Sequence, residues 1–265
     1  MDPIKLTLFL SLTLPLSAGA AVSTIHKDFK TDGITLLTVE SINGDIAITP
    51  GAAGAISADI TYDAEKCEVT AETRGKTAYL EAKNIKKWRL FAFASKKESC
   101  AKFDIKAPVD LDVNPVSVSG NLTVEQHSGP VSGKTVSGDV AITGAGPLTL
   151  TTVSGDLKLS DAAGTMRFQT TSGNIAGSIK SSEELEARTV SGDIALDILK
   201  TPEKGAFTLK TVSGDLTLTF PQGAKADTSF HSVSGGQKNR IINDPASPLK
   251  INAKTTSGNL TITAK

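Results

Sequence analysis

The most regular candidate for chemistry in this chain is a tripeptide, Ser-Gly-Asp or Ser-Gly-Asn, that recurs through its second half. A row of carboxylates could bind calcium, which takes six to eight oxygen ligands. Calcium-binding repeats of exported proteins, however, bring an aspartate in a Gly-rich loop every nine residues. Here one acid per repeat alternates with neutral residues, which relieve repulsion between like charges. We therefore predict structural turns, with no metal ion and no other cofactor. The third residue of successive copies is Asn121, Asp139, Asp156, Asn174, Asp193, Asp215, Gly236 and Asn259.

Groups that could act in catalysis are scattered along the chain. The serines of the tripeptide are too numerous to be individual nucleophiles, and none lies in a nucleophile elbow. His26, His127 and His231 lie far apart, and the Glu183-Glu184 pair is expected in a solvated loop. We therefore predict no catalytic residue. The competing interpretation is a carbohydrate-active lyase or hydrolase on the same fold, which needs non-repeating acids and bases in one groove.

Residues 83–97 depart from the repeat, because they combine the only Trp with six basic residues and carry no acid. Aromatic and basic side chains together can contact a protein, an acidic glycan or a membrane surface. The alternative is a β-hairpin whose apolar side chains cap the open end of the fold while its lysines stay in water. The candidate partner contacts are Lys86, Lys87, Trp88, Arg89, Phe91 and Phe93.

The spacing of the tripeptide predicts the fold class. From Gly120 to Gly258, successive glycines are 18, 17, 18, 19, 22, 21 and 23 residues apart. A motif at such a period indicates coils stacked one on another. We predict an all-β fold, a parallel β-solenoid (β-helix) with coils of about 17–23 residues and an N-terminal β cap. The predicted corner glycines, with an early outlier, are Gly44, Gly120, Gly138, Gly155, Gly173, Gly192, Gly214, Gly235 and Gly258.

Apolar and polar residues alternate on both sides of the tripeptide, which predicts short half-buried strands joined by a corner. Glycine adopts the torsions that a corner needs, and Ser and Asp can hydrogen-bond their own backbone. Equivalent residues of stacked parallel coils lie ~4.8 Å apart and form rows. Two interior rows are expected. One contains Leu122, Val140, Leu157, Ile175, Ile194, Leu216 and Leu260, and the other contains Val118, Val136, Val153, Val190, Val212 and Val233.

The N-terminus has the pattern of an export signal. Lys5 precedes an apolar run from Leu6 to Leu16, and Ala18-Gly19-Ala20 has the small residues of a signal-peptidase site. We predict a periplasmic or secreted protein without a transmembrane segment. The 28 basic and 28 acidic residues balance, so no bulk charge attracts nucleic acid. In an exported chain the two cysteines, Cys67 and Cys100, are expected to form a disulfide.

The Thr-Val-Ser-Gly-Asp-Leu-x-Leu pattern resembles the repeat of a large bacterial family of exported β-strand-repeat proteins, labelled candidate adhesins and of largely unassigned function. The resemblance extends over about residues 30–265. Phe103 to Pro108 resembles that family's entry into its repeats, although Ala107 stands where the family usually has valine. The resemblance implies a parallel β-solenoid in the cell envelope, without established catalysis.

The chain is accordingly divided into a signal peptide at 1–20, a cap with the first coils at 21–110, and the repeat solenoid at 111–265. The last two parts are expected to form one continuous domain. We expect a non-enzymatic, adhesin-like or scaffolding element whose partner is an envelope protein or glycan, or a second copy bound through the solenoid end. Because the chain ends inside its last coil, we expect an earlier segment or a partner strand to cover residues 258–263.

Overall fold

The computed structural model describes residues 22–85, 100–144 and 146–265, and the regular structure of these residues is entirely β. The predicted signal peptide and the candidate partner contacts from Lys86 to Phe93 lie outside the described residues. No helix in the described ranges is long and apolar enough to cross a membrane.

The strands fall into three groups along the chain. The N-terminal strands are β1 (Val22–Lys30), β2 (Leu36–Asn43), β3 (Ile46–Pro50), β4 (Ala55–Asp63), β5 (Cys67–Arg74), β6 (Thr77–Asn84) and β7 (Ala101–Ala107). The central strands are β8 (Asp112–Ser119), β9 (Leu122–Val124), β10 (Val131–Ser137), β11 (Val140–Thr143), β12 (Leu148–Thr151), β13 (Leu157–Ala163), β14 (Met166–Gln169), β15 (Ile175–Ser181), β16 (Glu184–Arg188), β17 (Ile194–Ile198), β18 (Gly205–Lys210) and β19 (Leu216–Phe220). The C-terminal strands are β20 (Lys225–His231), β21 (Gln237–Asn239), β22 (Ile242–Asn243), β23 (Leu249–Lys254) and β24 (Leu260–Ala264).

Two mostly parallel sheets of 12 strands each are built by a chain that visits them in turn. From β8 to β19, each even-numbered strand lies in one sheet, here called sheet B, and the next odd-numbered strand lies in the other, sheet A. The Ser-Gly-Asp corner joins them, so one strand–corner–strand unit forms each coil. The result is the all-β, solenoid-like stack that the repeat predicts.

The core lies between the two sheets. The predicted row from Leu122 to Leu260 is confirmed, because each member is buried with a relative exposure of 0%. Parallel pairing connects these residues in register, as from Leu157 to Ile175 and from Ile175 to Ile194. Phe168 and Phe207 fill the interior from sheet B.

The predicted interior row of valines is wrong. Val118, Val136, Val153, Val190 and Val212 are 45–50% exposed. Val233, at the end of the row, is 79% exposed. The reason is parity, since side chains alternate across a strand. With Leu148 and Leu150 inside, the next inward position is Thr152, and Val153 points outward.

Both ends of the stack are threaded out of sequence order. At one end, β6 and β7 lie outside β2 and β3, and the antiparallel strands β1, β4 and β5 follow beyond them. At the other end, β24 lies between β19 and β21, so an earlier coil is outermost. The predicted cover of the chain's last coil by an earlier segment is therefore confirmed.

Cys67 and Cys100 form the expected disulfide, with a Cα–Cα separation of 5.8 Å. Both residues are buried. Cys67 opens β5 in sheet B, and Cys100 immediately precedes β7 in sheet A. The bond therefore links the two sheets at the N-terminal end of the stack.

Candidate functional site

The corners lie above one another and form a narrow edge between the sheets. There the corner glycines form one row, which includes all nine of the predicted ones. A Cβ atom on Gly155 would lie 2.0 Å from the carbonyl oxygen of Gly138, and Gly192 has the same relation to Gly173 at 2.1 Å. Glycine is therefore required by the close approach of successive backbones.

The third residue of each tripeptide bonds the coil stacked on it. The Oδ1 atom of Asp156 accepts a hydrogen bond from the backbone N–H of Asn174 at 2.9 Å, and the Oδ1 of Asn174 accepts one from Asp193 at 2.9 Å. Aspartate and asparagine serve equally, because only one side-chain oxygen is used. The ladder runs through Asp45, Asn121, Asp139, Asp156, Asn174, Asp193, Asp215, Asn259 and Gly236.

Gly236 replaces the acid at the end of this ladder. Its N–H donates to Asn259 Oδ1 at 2.9 Å. The corner of β21 is the outermost in the stack, so a side chain at position 236 has no further coil to bond. The degenerate copy of the motif is thus explained by its place in the fold.

A threonine row lies just inside the edge, two residues before the corner serine, with threonine in six coils and serine at Ser117 and Ser232. Thr135 donates to the carbonyl oxygen of Gly120 at 3.3 Å, and Thr189 donates to Gly173 at 3.2 Å. Thr152 and Thr170 occupy the same position, but their buried hydroxyls have no hydrogen-bond partner among the described residues. Where the hydroxyl is bonded, as at Thr135 and Thr189, it favours threonine over valine at this inward position.

The exposed valine row is bordered by charges on both sides. On the sheet B side, the residue two positions before the outward residue is basic in four coils, of which three have valine and one has Thr256 at the outward position. On the sheet A side, the residue three positions after it is the acid or amide of the ladder. The basic residues are Lys134, Arg188, Lys210 and Lys254.

A shallow groove of about 380 Å³ runs between the basic and valine rows. Arg188, Lys210 and Lys254 border it on one side, and Val190 and Val212 border it on the other. Strand pairing places the three basic residues in adjacent, directly aligned positions. The edge therefore combines apolar side chains with fixed, periodically spaced charges.

A family model described as Toastrack DUF4097 matches residues 34–265, which is most of the chain. The chain belongs to this family. No curated protein matches it. The matched region thus begins before the first tripeptide of the central coils and includes the out-of-order strands at both ends, except β1.

Solved structures similar to this Toastrack chain include two bacterial candidate adhesins. One, from Bacteroides fragilis, is 14% identical, with a TM-score of 0.46, and the match covers 92% of this chain and 97% of that one. The other, from Parabacteroides distasonis, is 12% identical, with a TM-score of 0.43 and coverages of 92% and 98%. A lipid-binding candidate from the same species is 13% identical, with a TM-score of 0.29 and coverages of 89% and 96%. The function of this chain must be argued from its own residues.

The three histidines of this Toastrack chain stay apart in the fold. His26 lies on an exposed strand, where a 2.7 Å hydrogen bond to Asp59 raises its pKa. His127 is buried against the carbonyl oxygen of Leu111 at 2.7 Å, and burial lowers its pKa. His231 ends β20. No group of three His, Cys, Asp or Glu side chains suited to a metal ion occurs within the described ranges.

Sequence reasoning missed a polar cluster on the outer face of sheet B. Tyr79 donates to Glu40 at 3.1 Å, and the guanidinium of Arg74 lies 3.6 Å from the Tyr79 ring centroid. Burial, together with the hydrogen bond to Glu40, raises the pKa of Tyr79 to about 12. The alternation of Thr77, Tyr79 and Glu81 with apolar residues was the available signal. The neutral phenol of Tyr79 thus connects the Arg74 guanidinium of β5 to the Glu40 carboxylate of β2.

Proposed function

We propose that this chain is an exported, non-enzymatic binding or scaffolding element of the bacterial cell envelope, built as a parallel β-solenoid. The observation that carries the proposal is the narrow edge. It presents an exposed valine row, together with rows of charge, at a regular spacing of ~4.8 Å. Contiguous exposed apolar surface of this kind is typical of interaction sites.

The scaffold suits binding because its surface is rigid and repeated. The backbones of adjacent corners are in direct contact, and each corner is bonded to the next through the Asp and Asn ladder. Side chains on such a frame lose little further freedom when a partner binds, which favours affinity. The partner class is an envelope protein or glycan.

Export is tested at the N-terminus. The protein isolated from bacterial periplasm or culture medium is expected to begin at Ala21, as measured by intact mass and N-terminal sequencing. Retention of Met1 in a cytoplasmic fraction would exclude export and the envelope role with it.

Binding is tested with the immobilised mature chain and fractionated envelope material. Wild-type protein and the control variant Ala195→Ser, on the outer face of sheet A, are expected to retain the same envelope component. The double variant Val190→Ser/Val212→Ser is expected to lose it. Release of unsaturated or reducing-end sugars from envelope polysaccharide would instead support the lyase or hydrolase.

A further inference from the structure

We propose that the narrow edge joins two copies of this chain side by side, valine row against valine row, about a two-fold axis parallel to the stack. The inference rests on the proposed function of this edge as an interaction surface and names its partner. The length of the apolar row, the placement of basic and acidic residues on opposite sides of it, and the matching of these charges within individual coils support such a pairing.

The apolar row is long enough for a dimer interface. It extends over nine aligned corners, so that eight intervals of ~4.8 Å give a length of roughly 38 Å. A stable interface needs about 20–30 residues from each partner. The valine row and the two charged rows supply 27 positions, three from each of nine coils. The outward residues of the apolar row are Ile42, Val118, Val136, Val153, Thr171, Val190, Val212, Thr256 and Val233.

Charges of opposite sign flank the valine row on its two sides. At the positions that flank the valine row, the basic residues lie toward sheet B and the acids of the ladder lie toward sheet A. Lys158, on the outer face of sheet A, lies 3.5 Å from the Oδ2 atom of Asp139, so the acidic side carries one basic residue of its own. Rotation by 180° about the long axis of the stack exchanges these sides. A second copy related in this way places its acidic row opposite the basic row of the first. A two-fold axis perpendicular to the stack would instead oppose basic to basic, and is disfavoured by repulsion.

The same rotation places each coil opposite the same coil of the second copy. The charge at the basic position of a coil therefore meets the charge at the ladder position of that same coil. Lys210 would face Asp215 of the second copy, because both belong to one coil. Lys134 matches Asp139 and Arg188 matches Asp193 in the same way, although Lys158 already lies 3.5 Å from Asp139 and Glu186 already pairs with Arg188. Where the basic position is neutral, at Gln169, the ladder position is the neutral Asn174.

Three coils depart from this matching. Lys254 shares a coil with the neutral Asn259, and Thr151 shares one with Asp156. Glu40 shares a coil with Asp45, but its carboxylate accepts the Tyr79 hydroxyl. None of the three places two free like charges opposite each other at the centre of the edge.

Within one copy, two members of the basic row, Lys210 and Lys254, lack a counter-ion among the described residues. Arg188, Lys210 and Lys254 are aligned neighbours on adjacent parallel strands. Arg188 is paired with Glu186, whereas Lys210 and Lys254 have no ion pair to any described residue. Neighbouring like charges repel, whereas the opposed acids of a second copy would neutralise them. Asp193 and Asp215 use one carboxylate oxygen in the ladder and keep the other for such a pair.

A second copy fits the edge better than an anionic lipid surface. A bilayer that touched the valine row would meet the acidic row at the same time as the basic one. Anionic headgroups would then be repelled along half of the edge. A second copy instead offers acids to the basic row and basic residues to the acidic row.

The test is the oligomeric state of the oxidised mature chain, measured by sedimentation velocity over a dilution series. Wild type and Lys200→Asp, a control on the loop between β17 and β18, are expected to dimerise alike. Val190→Ser/Val212→Ser is expected to weaken the dimer by at least about tenfold, because each valine loses its apolar contact. Circular dichroism and thermal unfolding confirm that each variant is folded.

Charge reversal at the proposed pair of Lys210 and Asp215 provides the decisive experiment. Lys210→Asp alone and Asp215→Lys alone should each weaken the homodimer by about tenfold or more. An equimolar mixture of the two should recover the dimer, because each altered charge then faces its opposite. A misfolded variant could not be rescued in this way. Failure of the mixture to recover, or a monomer at every concentration, overturns the proposal.

The remaining outcomes separate the dimer from the proposed function. A monomer that still retains the envelope component through its valine edge overturns the dimer and leaves the binding role standing. A dimer that retains nothing from the envelope supports the dimer and overturns the envelope-binding role. Edge-dependent binding of the monomer to phosphatidylglycerol vesicles would assign the edge to lipid and overturn the dimer.

Discussion

Each residue of the Thr-Val-Ser-Gly-Asp corner has a separate physical task. Threonine lies inside and can bond the carbonyl of the coil below, as Thr189 does with Gly173. Valine lies outside. Glycine lets two backbones approach, and the acid or amide accepts an N–H of the next coil. The motif recurs because every coil must satisfy the same backbone groups.

Asp156 provides the test of the ladder. Asp156→Asn is expected to change the free energy of unfolding by less than about 0.5 kcal/mol, because an amide oxygen can accept the N–H of Asn174 equally well. Asp156→Ala should destabilise by about 1–2 kcal/mol, since that N–H loses its acceptor. Urea unfolding measures both. Equal losses would show that the carboxylate charge matters, as would a change of melting temperature with calcium.

Thr152 tests the threonine row. Its buried hydroxyl has no partner among the described residues, whereas that of Thr189 is bonded. Thr152→Val should therefore raise the free energy of unfolding by up to about 1 kcal/mol, and Thr189→Val should lower it by about 1 kcal/mol. The denaturant midpoints of the two isosteric variants, compared with that of the wild type, measure both changes. A loss at both positions would mean that Thr152 has a bound water.

At the scale of the element, the sequence predicts the coils well but misplaces one row. The spacing of the glycines indicates the stack, and the row from Leu122 to Leu260 is interior as expected. The valines were assigned to the interior because they are apolar, whereas the alternation of side chains between the two faces of a strand places them outside. Counting in twos from Leu148 and Leu150 leads to Thr152, and so places Val153 outside.

The order of the coils at the two ends could not be predicted from the repeat. All coils carry nearly the same motif, so the energies of neighbouring pairings hardly depend on which copy comes next. Only the loss of the acid at Gly236 signals that its corner is outermost. The charged edge was missed for the same reason as the valines, because Lys210 and Val212 share an outward face.

Insertion of β24 between β19 and β21 predicts slow amide exchange near the C-terminus. The N–H groups of Gly258 and Leu260 donate to the carbonyls of Ser234 and Gly236, both at 3.0 Å. Residues 258–263 should exchange slowly in dilute monomer, and the edge strand β21 should exchange faster. Hydrogen-exchange mass spectrometry resolves the two segments. Protection of β24 that appears only at high concentration would mean that a partner strand, not β21, covers it.

The whole molecule is close to one-dimensional, since each coil contacts mainly its two neighbours. Stability in such a stack is approximately a sum of coil and nearest-neighbour terms. A local constraint therefore stabilises the coils beside it more than distant ones. The disulfide is such a constraint, because it lies at one end and links β5 to the start of β7.

Removal of the disulfide should accordingly loosen one end of the molecule. Its loop spans a sequence separation of 33 residues, for which the chain-entropy model gives a stabilisation of about 3–4 kcal/mol. In Cys67→Ser/Cys100→Ser, amide protection in β1, β4 and β5 should fall at least about tenfold, because opening of this end becomes easier. Protection in β12 to β19 should stay unchanged, with the oxidised wild type as control. An equal loss along the entire chain would show that the stack unfolds as one cooperative unit, and the nearest-neighbour description would then be wrong.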